Sequence, residues 1–232
     1  MITAAVWACT PADAYDKELH LTFTVVLAEL AGFSEMEAIE IANFDQGTDE
    51  DPGTQPFKDS EARRLYHFVD STRLEGMRRD ALSCKSGKLT QSQFRQIGQY
   101  LHALEDFHAH RGFGHRFGHL LEGHAPDRPW HDPGQFVSMV EAKFDALVRL
   151  MTRCSSASKT AEQARWDFSK VRGRLELWVE QESQAGVRGD EQSPSRWRLV
   201  VDSACAQNCR SRIERSHDEW VLKRRGERWR TP

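Results

Sequence analysis

The chain has 232 residues, 39% hydrophobic and 29% charged, which suits one globular domain, or at most two small ones, and excludes a disordered, collagenous or coiled-coil chain. No run reaches the ~20 apolar residues that a membrane-spanning helix needs, and the opening MITAAVWAC lacks the basic region and length of a signal peptide, so no export address is read. The net charge of -3 conceals an asymmetry: thirteen acids between Asp13 and Glu61 face only Lys17 and Lys58, whereas 210–230 hold eight Arg/Lys against four acids, a basic strip suited to an anionic surface.

Strand signals are nearly absent, and Leu199-Val200-Val201 is the one β-branched cluster of note. Leu19, Phe23, Val26, Leu27 and Leu30 form an apolar helical stripe that ends at Gly32. Ser34 with Glu37 predicts a capping box opening a helix over about 35–44. The acidic stretch from Asp45 to Gly53 contains Gly47 and Pro52 and is expected to be a loop. A third helix is expected over about 58–82 and a fourth from a Thr90 cap to about His110. Residues 111–134 hold five glycines and three prolines and read as irregular. Asp132-Pro133 then predicts an N-cap with Pro at the first helical position, starting a helix through about 152. Two more helices are expected near 158–184 and 199–225. The reading is a single all-α domain over 1–232, of about seven helices, with one long Gly/His/Pro-rich loop. Its ligand-bearing part is about 15–131, and helices over 133–225 pack around it. The five cysteines are odd in number and scattered, which argues against a disulfide framework.

Histidine is the unusual statistic: nine of ten lie between 20 and 131, and seven crowd into 102–131. His102 and Asp106 are spaced i, i+4 on one helical face, and His110 extends that row, so imidazole nitrogen and carboxylate oxygen can be presented to one cation. His108 is rotated ~200° from Asp106 and should point away. Gly-His pairs follow at 114–115, 118–119 and 123–124, where glycine lets the backbone turn as ligands converge. The plain alternative for each of these is a hydrogen-bonded loop histidine. His20 and His67 lie on helices among apolar neighbours, where a satisfied core histidine is the alternative, and Asp45 and Asp49 sit in the acidic stretch. Four segments each offering His or Asp are what a hydrolytic metal site in a helical bundle requires, since no single helix can surround an ion.

His20, Asp49, His67, then Leu101-His102-Ala-Leu-Glu-Asp106 with His110, and Gly118-His119, follow the order and approximate spacing of a known ligand pattern. In this the chain resembles the zinc-dependent phospholipase C and P1-type nuclease superfamily, over about residues 15–131 and most strongly over 100–128. The resemblance implies an all-α fold and a cluster of one to three Zn2+ ions, two being the expected number, that hydrolyses phosphodiesters of phospholipids or nucleic acids. It makes His20, Asp49, His67, His102, Asp106, His110 and His119 presumptive ligands. The superfamily's N-terminal tryptophan ligand has no match, because Trp7 is internal, and the carboxylate expected one turn after a late histidine is missing, since Gly123 and Gln135 stand there.

The expected reaction is attack of an activated water on phosphorus, with Asp49, or Asp45 if the loop turns the other way, orienting or deprotonating that water. A phospholipase C-like phosphodiesterase is the first reading, as a toxin or effector domain with membrane-surface contact and an immunity or carrier protein as partner. A P1-type nuclease is the second. A helical interaction domain with structural metal, or none, is the third. The segment from His20 to Asp45 is also similar to HD-type phosphohydrolases, but an adjacent His-Asp occurs only at His217-Asp218, out of order. Cys205, Cys209 and His217 offer a further zinc set, against which i, i+4 cysteines read as packing groups.

Overall fold

Helices form every regular element of the computed structural model, which describes residues 17–56, 60–84, 87–110, 129–154, 160–185, 193–205 and 209–228. A π-helical turn Glu18–Phe23 leads into α1 (Thr24–Ala31), which Gly32 closes in the left-handed conformation at φ 109°. α2 runs Glu35–Glu50, and a short α3 (Ser60–Ala62) passes into a second π turn, Arg63–His67. α4 (Ser71–Ala81), α5 (Gln91–Ala109), α6 (Pro133–Cys154), α7 (Ala161–Ala185), α8 (Ser193–Ala204) and α9 (Cys209–Arg228) follow. The described residues thus hold nine α-helices where about seven were expected. The Gly/His loop between α5 and α6, with His115, His119 and His124, lies outside the described residues.

Local signals open the helices as read. Ser34 Oγ accepts from the Glu37 amide at 3.4 Å while Glu37 Oε2 accepts from the Ser34 amide at 2.9 Å, and Thr90 and Gln93 repeat this box before α5. Asp132 Oδ1 accepts from the Gln135 amide at 2.9 Å and caps α6.

Three boundaries differ from expectation. The acidic stretch is not a loop until Asp51, because α2 continues through Asp45 and Asp49. Acids in a last helical turn oppose the helix dipole, but packing overrides this: Gly47 lets the Trp220 ring of α9 lie against the helix, and Asp45 finds a buried cation. The expected helix over 58–82 is broken at Phe68, after which Asp70 caps α4. The expected helix over 199–225 is two, joined where a Cys205–Cys209 disulfide links the end of α8 to the start of α9. A second disulfide, Cys84–Cys154, ties the segment after α4 to the end of α6, so a disulfide pair framework exists after all. The odd count came from Cys9, which lies outside the described residues.

The π turn and α1 are buried nearly all round, from Leu19 through Ala28, which makes this segment the core's axis. α2 and α5 make the most extensive helix pair. Gly98 permits it: a Cβ there would stand 2.5 Å from Phe44 Cβ and 2.7 Å from the Asp45 amide nitrogen. Each fully buried Leu, Ile or Phe along this seam, such as Ile41, Ile97 and Leu101, contributes roughly 1.5–3 kcal/mol. α9 is pinned to α2 by His217, which donates to Asn43 Oδ1 at 2.9 Å and stands 3.2 Å from Glu50 Oε1. That pairing and the disulfide remove the Cys205, Cys209, His217 zinc set.

Candidate metal centre

His20, from the first π turn, points into the interior beside Asp45 and Asp49 of α2, His67 of the second π turn, and His102 and Asp106 of α5. All six are buried. Asp45 with Asp49, and His102 with Asp106, are each one turn apart on one face, so two helices each aim two donors at the same point. Both π turns carry a histidine, in keeping with the placement of such wide turns at functional sites.

The inner set is a triangle of donor atoms. His67 Nδ1 stands 3.1 Å from His102 Nε2 and 3.0 Å from Asp106 Oδ2, and His102 Nε2 is 3.4 Å from the same oxygen. Asp49 Oδ1 makes a second triangle on the same edge, 3.6 Å from His67 Nδ1 and 3.5 Å from His102 Nε2. Ligand atoms bound to one ion at about 2.0–2.2 Å lie about 3.0–3.5 Å from one another, so both triangles have the dimensions of a coordination face.

Tautomer chemistry sharpens the point. His67 Nε2–H donates to the Thr54 carbonyl at 2.8 Å, which leaves the Nδ1 lone pair facing the Asp106 carboxylate. Two acceptors at that distance repel unless a proton or a cation lies between them. Both oxygens of Asp49 and Oδ1 of Asp106 are buried and accept no hydrogen bond from the protein. Bare buried carboxylate oxygens are costly, and a cation is what would satisfy them. The clusters His20/His102/Asp106, Asp49/His67/His102 and His20/Asp45/Glu105 could each hold a metal ion.

Electrostatics follow from this crowding. Burial opposes a charged His102, but the Asp49 and Asp106 carboxylates outweigh it and push the imidazole up to about 10. Burial likewise opposes charge on Asp106, yet His102, His67 and His110 hold its carboxyl far below the usual carboxylate range. Asp49 goes the other way: burial raises its carboxyl, and the pull of His102, His20 and His67 does not offset it.

Beside this set lies a second, fully paired one. His20 Nδ1–H donates to Glu105 Oε2 at 2.9 Å, with Asp45 Oδ1 at 3.2 Å. The other oxygen of each carboxylate goes to Lys143 of α6, with Asp45 Oδ2 at 2.9 Å and Glu105 Oε1 in direct contact, and Lys143 also donates to Thr24 Oγ1 at 2.5 Å.

The structure brings together six of the eight site residues read from the sequence: His20, Asp45, Asp49, His67, His102 and Asp106. His110 is near but not among them. It caps α5, stacks on Phe68 at 4.2 Å between ring centres, and its Nδ1 lies 3.4 Å from the His67 carbonyl. His119 lies outside the described residues. Glu105, Lys143, Thr24 and Thr54 escaped the sequence reading. Lys143 left a signal, since it interrupts the apolar stripe Phe136, Met139, Val140, Phe144, Leu147 of α6. Comparison of the chain with family models, curated proteins and solved structures finds no match.

Proposed function

We propose that the protein is a metal-dependent, zinc-type hydrolase of phosphodiesters, with a phospholipase C-like activity as the first reading and a P1-type nuclease as the second. The observation that carries the proposal is the convergence of His67 Nδ1, His102 Nε2 and Asp106 Oδ2 within 3.4 Å of one another, next to two buried Asp49 oxygens that accept no hydrogen bond from the protein. Mixed imidazole and carboxylate donors suit zinc in a hydrolytic setting, unlike a structural site of four cysteines. His67, His102, Asp106 and Asp49 are the residues that would hold the ion.

Such an ion supplies Lewis acidity toward a phosphoryl oxygen and acidifies water near neutral pH. Asp49 is the group to orient that water and take its proton through Oδ2 while Oδ1 faces the ion's place beside His67 and His102, since neither oxygen accepts a hydrogen bond from the protein. At 8% exposure it is also the most accessible of the six. Asp45 is not the base, since Lys143, Thr24 and His20 already engage it. The Thr54 carbonyl fixes the His67 tautomer, and Glu105 orients the His20 ring. Two disulfides fit a protein that works outside a reducing cytosol, as an exported toxin or effector domain would.

The test is elemental analysis of protein purified without an affinity metal, followed by assays on bis-p-nitrophenyl phosphate, phosphatidylcholine vesicles and single-stranded DNA, each with a chelator control. Metal uptake with chelator-sensitive cleavage of the first substrate is expected, and the other two separate lipid from nucleic acid. Protein that takes up metal but leaves all three intact would make the helical interaction domain the correct reading, and absence of uptake would remove the metal centre itself.

A further inference from the structure

Lys143 is an ammonium with no solvent exposure, 0% for its side chain, in the middle of a site built of metal-type donors. An ammonium has three N–H donors and no acceptor, and here three oxygens take them: Thr24 Oγ1, Asp45 Oδ2 and Glu105 Oε1. Asp45 and Glu105 each divide their two oxygens in the same way, one to Lys143 and one to His20 Nδ1. The donor atoms of His20, Asp45 and Glu105 lie within 4.8 Å of one another, the spacing of a metal triad, yet the charge that such a triad needs is already present. A lysine side chain is rarely buried without purpose, since its charge loses hydration that only well-placed anions return.

We propose that Lys143 is a built-in cation which fills the place of a second metal ion, so that the centre takes one ion, at His67, His102, Asp106 and Asp49, where two were expected. The inference rests on the metal-centre reading above and concerns what that centre admits. A divalent ion placed among His20, Asp45 and Glu105 would meet the ammonium at hydrogen-bond range in a buried site, where like charges are screened least. The lysine also ties α6 to α1, α2 and α5 at one point, so the carboxylates that orient His20 are held by a covalent part of the chain and do not depend on metal supply.

The test counts ions in the wild-type chain and in Lys143→Ala, both purified without an affinity metal and dialysed against Zn2+. About one equivalent is expected in the wild type and about two in the variant, falling back to about one in Lys143→Ala/Glu105→Gln. Two equivalents in the wild type would overturn the inference and leave the metal centre standing; none would remove the centre on which it rests. A folded Lys143→Ala chain that still binds one ion would also overturn it. If Lys143→Ala folds only when refolded with Zn2+, the ion has replaced the ammonium and the inference holds; if Zn2+ does not restore its circular dichroism, the two cations are not equivalent and it fails.

Discussion

His67 Nδ1 and His102 Nε2 stand 3.1 Å apart in the interior, although 35 residues separate them in sequence. Neither nitrogen can donate to the other without one of them carrying the proton, and Asp106 Oδ2 closes the triangle on the same side. One buried cation relieves all three contacts together, so loss of any corner should be felt at the other two.

From this follows the first prediction. His67→Ala, His102→Ala and Asp106→Ala should each weaken Zn2+ binding by at least about a hundredfold, beyond the ten- to hundredfold that a supporting residue contributes. His108→Ala should leave affinity near that of the wild type, because His108 lies on the opposite side of α5. Isothermal titration of the four variants decides it. Binding lost in His108→Ala and kept in Asp106→Ala would mean that a different register supplies the ligands.

Glu105→Gln addresses the supporting shell. The amide keeps its volume but weakens the acceptor for His20 Nδ1–H and removes a charge beside Lys143. Because His20 is not among the donors that would hold the ion, Zn2+ affinity should fall less than the ten- to hundredfold expected of a group that orients a ligand, with the number of ions unchanged. A loss as large as that in His67→Ala would make His20 a ligand.

Acid should release the ion, and the sign can be worked out from His102. Its imidazole is pushed up to about 10 in the ion-free protein, so near pH 7–8 it carries a proton that an incoming ion must displace. Affinity should therefore rise with pH, and titrations in buffers of different ionisation enthalpy should register about one proton released per ion. For stability the ion-free chain runs the opposite way: a raised folded-state imidazole stabilises fully below the unfolded value of ~6.5 and loses that contribution as pH rises through about 10. Denaturation curves of chelated protein from pH 6 to 10 should show that decline, and a flat profile would contradict it.

Much of the fold could be read from local chemistry. Ser34 with Glu37, Thr90 with Gln93 and Asp132-Pro133 place helix starts where they are found. The i, i+4 pair His102 and Asp106 places two donors without any tertiary knowledge. What stayed hidden depends on contacts distant in sequence. Asp45 and Asp49 looked like loop residues because Gly47 and Pro52 are local breakers, and only Trp220 of α9 and Lys143 of α6 explain why the helix persists past Phe44. Glu105 stood in plain view beside Asp106, yet its partner is 38 residues away, at Lys143. Cys84 and Cys154 could not be paired from spacing, since their 70-residue separation closes only once the end of α6 reaches the last residues of α4 and the segment after it.

The disulfides allow a stability prediction. Chain-entropy arguments assign about 4 kcal/mol to the long Cys84–Cys154 closure and about 2 kcal/mol to the short Cys205–Cys209 one. Cys84→Ser should therefore lower the melting temperature by roughly 10 °C, and Cys205→Ser by about half as much. Intact-mass measurement after alkylation without reductant should label one thiol, Cys9, among the five cysteines. Five labelled thiols would mean the bridges do not form.

The last prediction joins fold to site through glycine. At Gly98 an added Cβ would stand 2.5 Å from Phe44 Cβ and 2.7 Å from the backbone nitrogen of Asp45, and neither can swing aside as a flexible side-chain end would. Gly98→Ala must push α2 away from α5, and those two helices carry Asp45 and Asp49 on one side and His102 and Asp106 on the other. It should cost about 1–3 kcal/mol, as overpacking does, and weaken Zn2+ binding although it touches none of the donors. Gly76→Ala is the control: that glycine lies within α4 with nothing inside 4 Å of the added carbon, so the change should stabilise by about 0.5–1 kcal/mol and leave binding alone. Urea denaturation and zinc titration of both variants read the two effects separately. Should Gly98→Ala bind zinc as the wild type does, the α2–α5 spacing would not control the centre, and the donors would have to be supported chiefly from the π turns.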